Sequence, residues 1–78
     1  MQVVVVEEQN FNINEPPTEI IFDKHSDHVP SVGDIIKVGH NLNGFKTYNV
    51  ERRVFRQLPT RDDNPEAFQA VIVLVSEI

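Results

Sequence analysis

The side chains best suited to chemistry cluster in the segment DKHSDH, residues 23–28. Asp23, His25, Asp27 and His28 fall within this stretch, and His40 could approach them from a later turn. Imidazole and carboxylate groups bind zinc and similar metals. Because the segment has no cysteine and no established ligand spacing, we expect a polar surface loop, and a metal-binding protein using this loop remains an alternative.

Other patterns that carry catalysis are missing from the sequence. Glu7 and Glu8 are neighbours in an extended stretch, so their carboxylates point to opposite faces, and Asp62-Asp63 belongs to a polar loop. The glycines form no phosphate-binding loop, and no serine has the surroundings of a nucleophile elbow. We therefore predict that the protein is not an enzyme and has no cofactor, catalytic residue or metal ligand.

A second chemical feature is the stretch GFKTYNVERRVFRQL, residues 44–58, which places three arginines among apolar residues. Aromatic and arginine side chains on a strand surface are how small barrels often bind single-stranded nucleic acid. The candidate binding surface comprises Lys46, Tyr48, Arg53 and Arg56. The alternative, which we favour, is a solvated strand face on which Arg52, Arg53 and Arg56 pair with Glu51 and with acids of neighbouring strands.

The charge distribution bears on that choice. The net charge is −5, which argues against nonspecific binding of nucleic acid. However, residues 35–60 hold five basic residues and one acid, whereas residues 1–34 hold seven acids and one lysine. A nucleic-acid-binding barrel that uses the basic strand 45–58 therefore remains an alternative function.

The elements that would position these side chains are short and β-branched. Strands are predicted at Gln2–Val6, Thr18–Phe22, Asp34–Val38, Phe45–Leu58 and Phe68–Val75. Clusters rich in proline, glycine and asparagine separate them, including a hairpin turn at 40–44 and a polar loop at 59–66, where one helical turn could begin near Asn64. The pattern predicts an all-β fold, a small, strongly bent antiparallel barrel of five strands.

Alternation along the fourth strand does not give a clean apolar face. A β-bulge or sharp bend near Glu51–Arg53 would shift the phase by one residue. Tyr48, Val50 and Phe55 could then all face the core.

The last strand is apolar on both faces, although only one face of a strand points into a small barrel. Its other face must be covered by the Phe11–Pro17 segment or by a second copy of the chain. Self-association, as a homodimer, is therefore a prediction that depends on how much apolar surface stays exposed.

The size and termini limit the rest. Seventy-eight residues without cysteine predict a single domain, 1–78, held together by its core or by a partner chain. The sequence MQVVVVEEQ does not resemble a signal peptide, because it has no basic region and its apolar run is short. We expect a cytoplasmic protein without a membrane span.

The stretches VPSVGDIIKV, FKTYNVERRVF and AVIVLV together resemble small SH3-like β-barrel domains of uncharacterised bacterial and phage proteins. The matching residues are Pro30, Gly33, Asp34, Tyr48, Val50, Arg53 and Val71–Val75. The turn has a physical basis, since proline fixes φ, glycine permits the bend and aspartate can accept nearby backbone N–H groups. The resemblance implies a barrel but no activity.

Taken together, these features predict a noncatalytic protein-interaction or accessory module of bacterial or phage type. Its contact surfaces would be the sheet edges or the apolar outer faces of the first and fifth strands, where a partner strand could add.

Overall fold

Five β-strands make up nearly all the regular structure of the residues that the computed structural model describes, 1–40, 44–57 and 69–78. They are β1 (Gln2–Glu7), β2 (Ile20–His25), β3 (Ile35–His40), β4 (Gly44–Arg56) and β5 (Ala70–Glu77). The 3-10 turn Glu8–Asn10 is the only helical element of these ranges, and none of their helices is long and apolar enough to cross a membrane. The predicted all-β class of five strands is confirmed.

The strands form one sheet in the order β2-β1-β5-β4-β3, which curls strongly into a half-barrel. Three neighbouring pairs are antiparallel, but β1 and β5 run parallel, so the sheet is mixed rather than antiparallel throughout. Strands that are apolar on both faces belong in the interior of a sheet. The two valine-rich strands accordingly lie beside each other, and β2 and β3 form the edges.

Strand β2 differs most from the sequence prediction. It covers Ile20–His25, so the polar residues Asp23, Lys24 and His25 are strand rather than surface loop. They pair with Val4, Val3 and Gln2 of β1, which holds this stretch extended. Charged residues are common on edge strands, because one face and one edge stay in water.

Other predicted limits are shifted or cannot be assessed. Strand β3 begins at Ile35 and ends at His40, slightly later than predicted. The predicted ends of the longest strands at Leu58 and Phe68, the loop 59–66 and the helical turn near Asn64 lie outside the described residues.

A register shift between Val50 and Arg52 interrupts the pairing of β4 with β5. Val50 lies opposite Val75 and Arg52 lies opposite Leu74, so Glu51 is the extra residue. One extra residue bends a strand and increases its twist. This confirms the bulge predicted near Glu51–Arg53.

The bulge sets which side chains face inward. Tyr48 and Val50 are 3% and 0% exposed. After the shift, Phe55 lies opposite Val71, on the same side of the sheet as Val50, but it remains 41% exposed. The predicted phase of Phe55 is therefore correct, although its side chain is only partly covered.

The concave side of the sheet carries the larger apolar cluster, which we call the inner cluster. None of its members is more than 3% exposed. It consists of Val3, Val5, Tyr48, Val50, Val71, Val73 and Val75. Half-buried side chains from the edge strands, such as Phe22 and Ile36, pack against it.

The opposite side carries a smaller group, the outer cluster, made of Val6, Ile72 and Leu74. Phe11 packs against it, and the turn Glu8–Asn10 contacts β5. Residues 8–17, here called the cover segment, therefore lie over the outer face, as one of the two predicted arrangements requires. Because no residue of Ala70–Val75 is more than 7% exposed, β5 leaves no apolar face that needs a second chain.

Candidate functional site: the cleft between the edge strands

A cleft of about 400 Å³ lies between the two edge strands on the concave side of the sheet. We call it the edge cleft. Its lining comes from β1, β2, β3 and the connection between β2 and β3: Val3, Phe22, Lys24, Ser26, His28, Val29, Pro30, Asp34, Ile35 and Ile36. The two edge strands, β2 and β3, thus border the same cleft.

The lining is apolar at the bottom and polar at the rim. Val3, 1% exposed, belongs to the inner cluster, and Phe22 and Ile36 are half-buried. Ile35, on β3, is 54% exposed. An apolar depression with a few polar groups around it is the usual composition of a binding site.

The rim beside β3 is a tight turn, Ser31–Asp34. The Asp34 N–H donates to the Ser31 carbonyl at 3.0 Å, and Gly33 has φ of 93°. A positive φ at the third residue of a turn is typical of type II and favours glycine. The Asp34 carboxylate accepts the Ser31 N–H at 2.8 Å, which is the role predicted for this aspartate.

The same turn is anchored to β4. The Gly33 N–H donates to the Val50 carbonyl, and the Val50 N–H donates to the Asp34 carbonyl, both at 2.9 Å. Gly33 and Asp34 thus both lie opposite Val50. Such a pairing of two residues with one, in which the first residue is a glycine with positive φ, is called a G1 bulge. The turn is therefore fixed to the middle of the sheet, beside the bulge of β4, and gives the cleft a firm wall.

The free edge of β2 can be assigned from its pairing with β1. The Ser26 N–H donates to the Met1 carbonyl at 2.9 Å, and hydrogen-bonded positions alternate along an antiparallel ladder. Lys24 and Phe22 therefore bond to β1 through their backbones. The backbone N–H and C=O groups of Asp23 and His25 point away from β1, toward the open side.

The same reasoning assigns the free edge of β3. Because Asp34 bonds to Val50, the backbone groups of Ile36 and Val38 point toward β4. Those of Ile35 and Lys37 point away from it. The edge strands thus each turn backbone donors and acceptors outward at the border of the cleft.

Three ionisable side chains line the cleft: Lys24, His28 and Asp34. The Asp34 carboxylate is occupied by the Ser31 N–H. Among the described residues, no carboxylate lies within ion-pair distance of the Lys24 ammonium. Lys24 is therefore a positive charge in this site that a ligand carboxylate could neutralise.

The structure does not bring the predicted surface of Lys46, Tyr48, Arg53 and Arg56 together. The Tyr48 ring belongs to the inner cluster, and Lys46 lies 3.8 Å from Glu77. Arg53 is opposite Val73, and Arg56 is opposite Ala70, so these two arginines lie on different faces of β4. Arg53 lies over the Phe55 ring, with its guanidinium carbon 5.5 Å from the centroid.

Burial raises the pKa of the Tyr48 phenol, nearby Lys46 lowers it, and the carboxylates of Glu7 and Glu77 raise it again. The net effect is upward, so the phenol stays neutral over a wider pH range. Tyr48 therefore acts as a core residue whose hydroxyl lies close to charged groups at the rim of the sheet.

Arg52 has a structural partner that the sequence did not indicate. Its Nε donates to both Glu8 oxygens, at 3.0 and 3.1 Å, and its terminal nitrogen lies 2.8 Å from Oε1. The guanidinium carbon is 5.9 Å from the centre of the Phe11 ring. Arg52 therefore binds the cover segment, whereas Glu51, one of its predicted partners, accepts a hydrogen bond from Asn49.

The histidine and aspartate residues of segment 23–28 are spread out. His25 is on β2, with Nε2 3.3 Å from the Met1 nitrogen, and His28 lines the edge cleft. In the part of the chain that the structure describes, no three His, Asp or Glu side chains are grouped to hold a metal ion. The side chain of His40 lies outside that description.

The predicted contact surfaces need correction. Strands β1 and β5 each have neighbours on both sides, so neither has an edge to which a partner strand could add. Their outer face is occupied by the cover segment. In the described part of the chain the sheet edges belong to β2 and β3. The order of the strands in the sheet decides which strands are edges, and the sequence pattern does not encode that order.

Comparisons of the chain with protein-family models, with curated proteins and with solved structures gave no match. The resemblance to SH3-like barrels therefore depends on the turn and strand motifs alone. Of the residues in the edge cleft, Pro30 and Asp34 were indicated by that motif. Phe22, Lys24 and Ile36 were not, since their importance comes from the edge position of their strands.

Proposed function

We propose that the chain is a noncatalytic protein-interaction module, and that a partner protein contributes an extended segment to the edge cleft. One observation carries the proposal: two edge strands border the same apolar-floored cleft and direct backbone groups outward there. In strand addition, main-chain hydrogen bonds supply affinity, and pockets for alternate side chains supply specificity. Here the outward backbone groups of the edge strands could supply the hydrogen bonds, and the edge cleft could supply the pocket.

A different protein suits the cleft better than a second copy of this chain. Each edge strand carries a lysine, Lys24 on β2 and Lys37 on β3. Pairing of an edge with its symmetry-related copy brings the same strand side by side, and like charges opposite each other destabilise a strand pair. The net charge of −5 adds general repulsion between copies.

Nucleic acid is less well supported as a ligand. Stacking on bases needs an accessible aromatic ring, and Tyr48, the aromatic residue of the predicted surface, is 3% exposed. The arginines of β4 divide between its two faces, and Arg52 is bound to Glu8. We place the module inside the cell, in the cytoplasm, in keeping with a fold that has no cysteine to oxidise.

Selection from a library of displayed random peptides, followed by amide hydrogen exchange, tests the proposal. Selected peptides should slow exchange of the outward amides on one edge, Asp23 and His25 or Ile35 and Lys37. The exposed Val32 amide in the turn should be unaffected. Binders that protect none of these edge amides, or a failure to enrich any binder, would overturn the proposal.

Proline variants provide a matched control for the backbone hydrogen bonds. Asp23→Pro and Lys37→Pro each remove an outward N–H without breaking the existing ladder, a position where edge strands tolerate proline. One of them should abolish binding of the selected peptide, whereas Asp23→Ala and Lys37→Ala should retain it. Circular dichroism of all four variants checks that the sheet is intact.

A further inference from the structure

The charge in the edge cleft indicates the kind of segment that it fits. We infer that the partner strand adds to β2 and places a carboxylate opposite Lys24, with apolar side chains two residues away on the same face. This inference rests on the proposed function, since it specifies the occupant of the same cleft. According to this inference, the ligand is an extended segment with one acidic residue between apolar residues.

The first step is the choice of edge. Lys24 lines the cleft from β2, and Phe22 lies two residues before it on the same face. On β3, the corresponding inward residues are Ile36 and Val38, which pack against the inner cluster, so Lys37 lies on the opposite face. Only β2 thus combines an outward edge with a charge that faces the cleft.

The second step is the geometry of the new pair. Asp23 and His25 carry the outward backbone groups, so they form the hydrogen-bonded positions of an added strand. Lys24 between them occupies a non-hydrogen-bonded position, where facing side chains approach most closely in antiparallel pairing. The residue opposite Lys24 therefore feels its charge more than any other residue of the segment does.

The third step concerns the neighbours of that residue. Side chains two positions away on the added strand lie opposite Phe22 and Ser26, near Val29 and Pro30. These positions favour apolar residues because they cover Phe22 and the half-buried Val29 and Pro30. The resulting pattern is apolar-x-acidic-x-apolar, which reads the same in either strand direction.

Two synthetic heptapeptides test this pattern, with the capped sequences Thr-Val-Thr-Glu-Thr-Val-Thr and Thr-Val-Thr-Lys-Thr-Val-Thr. Titration is followed by the amide signals of Asp23 and His25. A carboxylate opposite Lys24 stabilises the strand pair and an ammonium group there destabilises it, so the affinities of the two peptides should differ by up to a factor of about thirty. We expect the glutamate peptide to bind about fivefold more tightly.

Charge reversal identifies the responsible side chain. Lys24→Glu should invert the preference, so that the lysine peptide binds more tightly. Lys37→Glu, the matched change on the other edge strand, should leave the preference for the glutamate peptide as it is. Both lysines are exposed, so both variants should fold.

Several results would overturn the inference. They are equal affinity for the two peptides, inversion by Lys37→Glu, or no shift at Asp23 and His25 with either peptide. A dimer in sedimentation that protects these same amides would assign the edge to a second copy. If library-selected peptides still protect an edge, the proposed function stands without this specificity. If they do not, both fail.

Discussion

The two sides of the sheet are covered in different ways. The inner cluster is enclosed by the curl of the sheet itself and by half-buried residues of the edge strands. The outer cluster is enclosed by the cover segment, a stretch that pairs with no strand in the described structure. One side therefore depends on the sheet geometry, and the other depends on a few side-chain contacts.

The difference follows from the composition of β1 and β5. Both strands are apolar on both faces, so a single curled sheet cannot bury them completely. The cover segment supplies the missing layer through Phe11, held by the contact of Arg52 with Glu8. Few contacts make a region open locally at lower free energy than the rest, so we expect the cover segment to be the less stable part.

The largest expected effect is the loss of a buried side chain from the outer cluster. Leu74→Ala should lower the free energy of unfolding by about 3 kcal/mol, because Leu74 is 0% exposed and the substitution leaves a cavity. Urea denaturation measures the change. Ile78→Ala, at a position 72% exposed, is the control and should change it by less than about 0.5 kcal/mol. Equal effects would show that the outer cluster is not a core.

Removal of the Phe11 ring should lower the free energy of unfolding by less than Leu74→Ala does, and it should expose apolar surface of the outer cluster. Phe11→Ala should cost about 2 kcal/mol, below the range for fully buried phenylalanine, since Phe11 is half-buried. It should also increase binding of a hydrophobic dye to the folded protein. Ile13→Ala in the same segment, at a residue 65% exposed, should do neither. A matching response from both variants would contradict the role of Phe11.

The asymmetry was partly predictable from the sequence. Local features were predicted well, because their causes are local: the bulge near Glu51, the turn chemistry of Gly33 and Asp34, and the need to cover a strand apolar on both faces. The parallel pairing of β1 with β5 was not, since side-chain alternation does not identify a partner strand. Arg52 and Glu8 are separated by 44 positions, so their contact could not be predicted from spacing either.

The candidate site was less predictable than the fold for the same reason. The sequence indicated aromatic and basic residues on one strand, but the phase set by neighbouring strands buries Tyr48 and divides the arginines between two faces. The polarity of Asp23–His25 predicts a loop, whereas the pairing with β1 makes this stretch a strand and the strand order makes it an edge. A site made by two edges becomes visible once the strand order is known.

A third prediction concerns the contact that holds the cover segment. Arg52→Lys should reduce stability by about 0.5 kcal/mol at low salt, because lysine cannot reproduce the two-point contact with Glu8. The effect should shrink as salt rises. Lys46→Ala is the control, since its ion pair with Glu77 is a single contact at 3.8 Å and should contribute less. If Lys46→Ala lowered the free energy of unfolding more than Arg52→Lys does, the Lys46–Glu77 pair and not the contact with the cover segment would be the more important ion pair.

The smallest effect should come from the inner cluster and appear only in alkaline solution. Folding raises the pKa of Tyr48 above its usual value of about 10, so the folded chain keeps a proton that the unfolded chain releases. Stability from this group is complete below pH about 10 and is lost as pH rises through the folded pKa. Tyrosinate absorbance reports Tyr48 directly, because it is the single tyrosine.

Denaturation of the wild type and of Tyr48→Phe across alkaline pH isolates this contribution. All other ionisable groups are common to the two proteins, so their contributions cancel in the difference. The wild type should lose stability more steeply than the variant above pH about 10. Parallel curves would mean that the phenol is as well solvated in the folded chain as in the unfolded one, and that the inner cluster is open to water at this rim.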